Sequence, residues 1–147
     1  AGLQVTIHAG EADGPQSVWS AIGDLGATRI GHGFRAIEDP ALVDYLAEQG
    51  IGLEICPTSN MHTSTVKDYV SHPIRSLANG GVKFCLNTDD PGISAIDIAH
   101  EYGVAAAAVG LTPEQVHQSQ LDGLDMAFLD ENEKSDLQLK VAQRAAL

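Results

Sequence analysis

A chain of 147 residues with 44% hydrophobic and 19% charged residues has the size and composition of one globular domain, which excludes a disordered or fibrous protein. The net charge of -12, from 20 acidic against 8 basic residues, excludes the clustered Lys and Arg that hold nucleic-acid backbones or anionic membrane surfaces, so neither is expected as a partner. No apolar run approaches the roughly 20 residues needed to span a bilayer, no basic leader with a cleavage site opens the chain, and Cys56 and Cys85 lie in apolar strand-like runs rather than in a disulfide framework. Together these features predict a cytoplasmic protein.

The chain opens at Ala1 without an initiator methionine and enters a strand almost at once, so its start is expected to fall within a domain. Leu3-Gln4-Val5-Thr6-Ile7-His8 alternates apolar and polar residues and predicts a strand ending in a histidine, followed by the loop Ala9-Gly10-Glu11. Pro15 to Leu25 predicts a helix: Pro15 suits the first turn, Val18, Trp19, Ile22 and Leu25 form the apolar stripe, and Gly26 ends it. Thr28-Arg29-Ile30 is a second short strand, leading into Gly31-His32-Gly33, where two glycines let backbone or ligand come close to the histidine. Asp39 to Gln49 predicts the next helix, with Asp39 as N-cap, Pro40 at its first position and Gly50 as the stop.

Ile51 to Ile55 is the third strand, closing on a polar loop, Cys56-Pro57-Thr58-Ser59-Asn60. A frayed helix is expected over His62 to His72 and a firmer one over Pro73 to Asn79. The fourth strand, Val82 to Leu86, runs into Asn87-Thr88-Asp89-Asp90-Pro91. Helices are then expected over Ile96 to Ala108, over Thr112 to Leu121 behind the start signal Thr112-Pro113-Glu114, over Leu124 to Leu129, and from Asp130 onward.

Four strands, each followed by a helix, indicate βα units and a parallel sheet whose strand ends all point one way. Those ends carry His8, His32, Asn60 and Asp89. In a (β/α)₈ barrel the active site is built at this face from residues on several strands, and four units are half of a barrel that takes about 250 residues. Asp89 and Asp90 have two readings, a turn formed with Pro91 and Gly92 or a pair of site carboxylates facing different partners if strand alternation persists that far. Two histidines and a pair of aspartates at one sheet end suit zinc, although a catalytic zinc takes at least three protein ligands and the sequence offers two firm ones.

His8-Ala9-Gly10-Glu11, Arg29-Ile30-Gly31-His32-Gly33, Cys56-Pro57-Thr58-Ser59-Asn60 and Asn87-Thr88-Asp89-Asp90-Pro91, in that order, closely resemble the second half of the adenosine deaminase family. The resemblance covers essentially the whole chain and implies an α/β fold, strands 5 to 8 of a (β/α)₈ barrel, with residues 1–147 forming one partial domain. It implies hydrolysis of the 6-amino group of adenosine or deoxyadenosine, with one Zn²⁺ per complete site and a purine nucleoside as the small-molecule partner. By the same resemblance His8 and Asp89 match zinc ligands, and Glu11 matches the acid that protonates purine N1. His32 matches the histidine that orients and deprotonates the attacking water, Asp90 the carboxylate that meets N7, and Gly10 a residue lining the substrate. The Cys56 to Asn60 loop is expected to support the mouth of the site without a chemical role.

The departures are equally specific. The family's first-strand His-x-His pair, which provides two further zinc ligands, occurs nowhere in the chain, and neither does its fourth-strand glycine segment. A missing N-terminal half-barrel is therefore expected to complete the site, and the chain alone is expected to be inactive or nearly so. Cys85 stands where many members have serine. The H-x-E and P-C-x-x-C signature of cytidine and tRNA deaminases is absent. Deamination of adenine or another aminopurine is an alternative specificity, and a non-catalytic half-barrel binding module is the alternative of another class. His62, His72, His100 and His117 are read as surface or packing residues, Trp19 as core, and the acids from Asp130 to Glu133 as a solvated helix start.

Overall fold

Four short apolar runs decide the architecture of the computed structural model, which describes residues 2–145. Strands β1 (Thr6–Ala9), β2 (Arg29–His32), β3 (Gly52–Ile55) and β4 (Phe84–Leu86) form one parallel sheet in the order β1-β2-β3-β4. Its register aligns Ile7, Ile30, Leu53 and Phe84 on one face, and His8, Gly31, Glu54 and Cys85 on the other. The first face is the core. Ile30, Leu53 and Ile55 are fully buried there in one apolar cluster with Val18, Leu42, Leu46, Ile74 and Leu77 from the helices. The second face is polar: Glu54 accepts from Thr6 Oγ1 at 2.7 Å and pairs with Arg29 Nε at 2.9 Å.

Helices α1 (Pro15–Gly23) and α2 (Pro40–Gln49) form where proline opens and the apolar stripe continues. Asp39 caps α2 by accepting the Ala41 N–H at 3.0 Å, and also accepts the Trp19 indole N–H at 2.9 Å, which ties α1 to α2. Gly50, at φ 65°, ends α2 in the left-handed turn that glycine adopts without strain.

Four expectations are corrected. The polar run after β3 is a helix rather than a loop, α3 (Pro57–His62), because Pro57 sets its first turn and the Asn60 N–H closes on the Cys56 carbonyl at 2.9 Å. Conversely, no helix runs from His62 to His72. Thr63 and Thr65 hydroxyls take the Ser59 and Asn60 carbonyls, competing with helical bonding, and only a 3₁₀ turn at Tyr69–Ser71 survives before α4 (Ile74–Asn79).

The stretch from Ile96 to Ala108 is interrupted as well. After α5 (Pro91–Ser94), it begins as α6 (Ile98–His100), widens into a π-helical turn at Glu101–Ala105, and finishes as α7 (Ala106–Ala108). Finally, α8 (Pro113–Asp125) absorbs the start of the expected element at Leu124 to Leu129. Its Gly123 approaches the sheet so closely that a Cβ there would lie 3.1 Å from Cys85 Cβ. The acidic run then caps α9 (Glu131–Ala145) as expected.

Asp39→Ala removes the α2 cap and the Trp19 acceptor together. It is expected to lower stability by about 1–2 kcal/mol in urea unfolding, with the slope unchanged.

Candidate active site

The strand ends converge because parallel strands deliver their C-terminal residues to one side. His8 ends the polar row of β1, and its ring lies over Gly31 of β2, where a Cβ would come within 3.2 Å of the imidazole. His32 is paired in register with Ala9, so alternation alone would send it to the helix-covered face. Its backbone instead turns to φ 62°, a conformation uncommon for a non-glycine residue, and its ring comes to 5.1 Å from that of His8. Asp89 makes the same turn at φ 58°, beyond the end of β4, where an aspartate tolerates it.

These two left-handed residues and His8 form a cluster whose donor atoms all lie within 4.8 Å of one another. Two ligands on one tetrahedral zinc stand roughly 3.4 Å apart, given metal bonds of about 2.0–2.2 Å. The His8 imidazole and the Asp89 carboxylate are donors that suit a zinc ion. They line a cleft of about 300 Å³ with Gly31, Glu54, Cys56, Asn87 and Thr88.

Helix α3 organises the groups behind the cleft. Ser59 Oγ donates to Asp89 Oδ2 at 2.6 Å, which orients the carboxylate. The next residue, Asn60, is fully buried and its Nδ2 donates to Glu11 Oε1 and His32 Nδ1, both at 3.1 Å. Glu11 Oε2 lies 3.4 Å from His32 Nε2. Behind Asn60, its Oδ1 meets His72 Nε2 at 3.3 Å, and His72 Nδ1 accepts the Ile74 N–H at 3.1 Å.

Burial lowers the His32 pKa, a shift that outweighs the opposing pull of the Glu11 and Asp89 carboxylates. Burial also lowers His72, to about 4. Both cysteine thiols are pushed up by burial and stay protonated, which suits packing groups rather than nucleophiles.

The structure thus brings together His8, Glu11, His32 and Asp89. Asp90 is exposed and holds the start of α5, its Oδ1 accepting the Ile93 N–H at 3.0 Å. Asp90 thus forms the turn with Pro91, whereas Asp89 lies beside His8 and His32. Gly10, at φ 64°, has its N–H taken by Ser17 Oγ and its carbonyl by the Arg35 N–H. Any side chain there would strike Val18, so Gly10 shapes the turn that carries Glu11.

Sequence reading expected the Cys56 to Asn60 segment to support the mouth of the site but did not single out the contacts of Ser59 and Asn60, and it missed His72. Only the buried polar character of a short segment opened by proline could have signalled the first two, and nothing local distinguishes His72.

The profile of the adenosine deaminase family matches residues 1–144. The chain belongs to this family. An adenosine deaminase from Aliivibrio fischeri is 58% identical over 98% of the chain, which spans 43% of that relative's length. Among solved structures, an adenine deaminase from Arthrobacter aurescens superposes with a TM-score of 0.90 at 24% identity, covering 99% of this chain and 45% of its own, and so shows the fold alone. An amidohydrolase from Burkholderia ambifaria with bound Zn superposes with a TM-score of 0.85 at 27% identity, over 97% of this chain and 40% of its own. Among the described residues no helix is long and apolar enough to cross a membrane.

Ser59→Ala is expected to weaken Zn²⁺ binding by roughly tenfold to a hundredfold in a chelator-competition titration, since it frees the Asp89 carboxylate. His72 gives a second outcome. Its pKa falls from 6.5 to about 4 on folding, so the unfolded chain takes up a proton first on acidification and stability drops as pH falls through that window. Stability against pH should be steeper for the unaltered protein than for His72→Gln, by at most about 1.4 kcal/mol per pH unit. Equal slopes would show that His72 does not titrate this way.

Proposed function

We propose that this chain is the C-terminal half of a (β/α)₈ barrel which, when complete, hydrolyses adenosine or deoxyadenosine to the inosine product and ammonia. The observation that carries the reading is the convergence of His8, His32 and Asp89 at one sheet end, with Glu11 held 3.4 Å from His32, in a member of this family. A complete parallel barrel has eight strands, and this sheet has four among the described residues. The remaining strands, with a His-x-His pair, would come from an N-terminal half-barrel that completes the metal shell.

His8 and Asp89 would hold a Zn²⁺, whose chemistry is to make a water reactive at neutral pH. His32 orients the attacking water from its Nε2 edge. Glu11 delivers a proton to purine N1 as the water oxygen bonds to C6, so the ring accepts the electron pair on nitrogen rather than on carbon. Asp90 meets N7 through the oxygen that Ile93 does not occupy, a hydrogen bond that needs a proton between the two acceptors. Gly10, its N–H committed to Ser17, cannot donate to a purine and would line the substrate without a donor role.

Adenosine turnover and zinc content, measured on this chain alone and after addition of a His-x-His-bearing N-terminal half, test the proposal. The chain alone should show little or no deamination, and the completed protein should bind one zinc and turn over adenosine. Glu11→Gln in the completed protein should lower kcat by about 100- to 10,000-fold with zinc retained. Robust deamination by the chain alone would overturn the half-barrel reading. A completed protein that binds zinc but leaves adenosine untouched would overturn the reaction.

A further inference from the structure

Hydrogen bonds behind the cleft determine where the protons lie on three side chains. Because the Ile74 N–H donates to His72 Nδ1 at 3.1 Å, the single proton of a neutral His72 sits on Nε2. That Nε2–H, 3.3 Å from Asn60, can donate only to the amide oxygen, so Oδ1 must face His72. The opposite amide setting would place NH₂ against N–H, two donors in a fully buried spot. Asn60 Nδ2 therefore faces the site, and its two hydrogens go to Glu11 Oε1 and His32 Nδ1, each at 3.1 Å. Asn60 has no hydrogen left over and no lone pair to offer His32.

We propose that Asn60, oriented by His72, is a positioning residue that holds His32 in the tautomer with a bare Nδ1 and a proton on Nε2. Two consequences follow from the position of that proton. An Nε2 that carries hydrogen cannot ligate a cation, so His32 is kept off the metal although it stands within 4.8 Å of the other two donors. It also cannot accept a proton from water, the second half of the role that the family resemblance implies for it. His32 acts as a donor, with its Nε2 3.4 Å from Glu11 Oε2 and its ring lining the cleft. The tautomer follows from hydrogen bonds within this chain, and only its catalytic consequence rests on the deaminase reading.

Long-range ¹H–¹⁵N spectra of the ¹⁵N-histidine-labelled protein at neutral pH read each ring nitrogen directly. His32 and His72 should both show a protonated Nε2 and a bare Nδ1, and on addition of Zn²⁺ the His8 resonances should shift while His32 keeps its Nε2 proton. Asn60→Asp places a carboxylate opposite His32 Nδ1 and should protonate that nitrogen. His72→Gln, whose amide still donates to Asn60 Oδ1, should leave the His32 tautomer as it was.

A backbone spectrum of unchanged dispersion shows that each variant is folded, and the unaltered protein decides the matter even where a variant is not. A purely structural Asn60 would change stability without moving the His32 proton. The proposal is overturned if His32 Nδ1 carries the proton in the unaltered protein, if Zn²⁺ strips Nε2, or if folded Asn60→Asp leaves the ring unchanged. None of these readouts requires adenosine turnover, so a failure of the proposed reaction would leave them standing.

Discussion

The site depends on one short helix, α3, that reaches both sides of it. Ser59 grips Asp89 at 2.6 Å after β4, and Asn60 grips Glu11 after β1 and His32 at the end of β2. Three strand ends are thus cross-braced by two adjacent residues of a fourth segment. The bracing is strong because Asn60, His32 and His72 are buried, so leaving any of these three unpaired carries the cost of desolvation.

Bracing of this kind is needed because the groups it holds are strained or mutually repelling. His32 and Asp89 both adopt left-handed backbone, which persists only where the surroundings impose it. Glu11 and Asp89 are two carboxylates set around the same His32 ring. Neighbouring glycines make the geometry possible. Gly33 sits so close to Leu53 that a Cβ would clash at 2.5 Å, and Gly31 admits the His8 ring. A metal or substrate would meet donors already fixed in place, which reduces the ordering cost of binding.

Much of this was legible in the sequence. The alternating run ending at His8, the glycine-flanked His32 and the Asp-Asp-Pro step after an apolar strand each reported a strand end, and their shared direction follows from the βα order. Helix α2 was legible almost to the residue, since Asp39, Pro40 and Gly50 are all local signals. Helix α3 was not, because Thr, Ser and Asn favour turns and caps in short sequence windows, and only burial against the site makes helix the better use of their backbone. The absent helix at His62 to His72 is the same effect in reverse, with Thr63 and Thr65 bonding back to α3.

Sequence alone determined which side chains end the strands, and therefore the chemistry available: two imidazoles, several carboxylates and a family whose members share them. Tertiary structure decided how they are used. Strand alternation would have hidden His32 under the helices, and the left-handed turn brought it out beside His8. His72, read from sequence as a surface or packing residue, became the group that sets the Asn60 amide, and through it the proton on His32. Residue identity follows from local sequence, whereas the placement of a proton depends on which donors and acceptors meet in space, and those contacts join residues 28 and 49 positions apart.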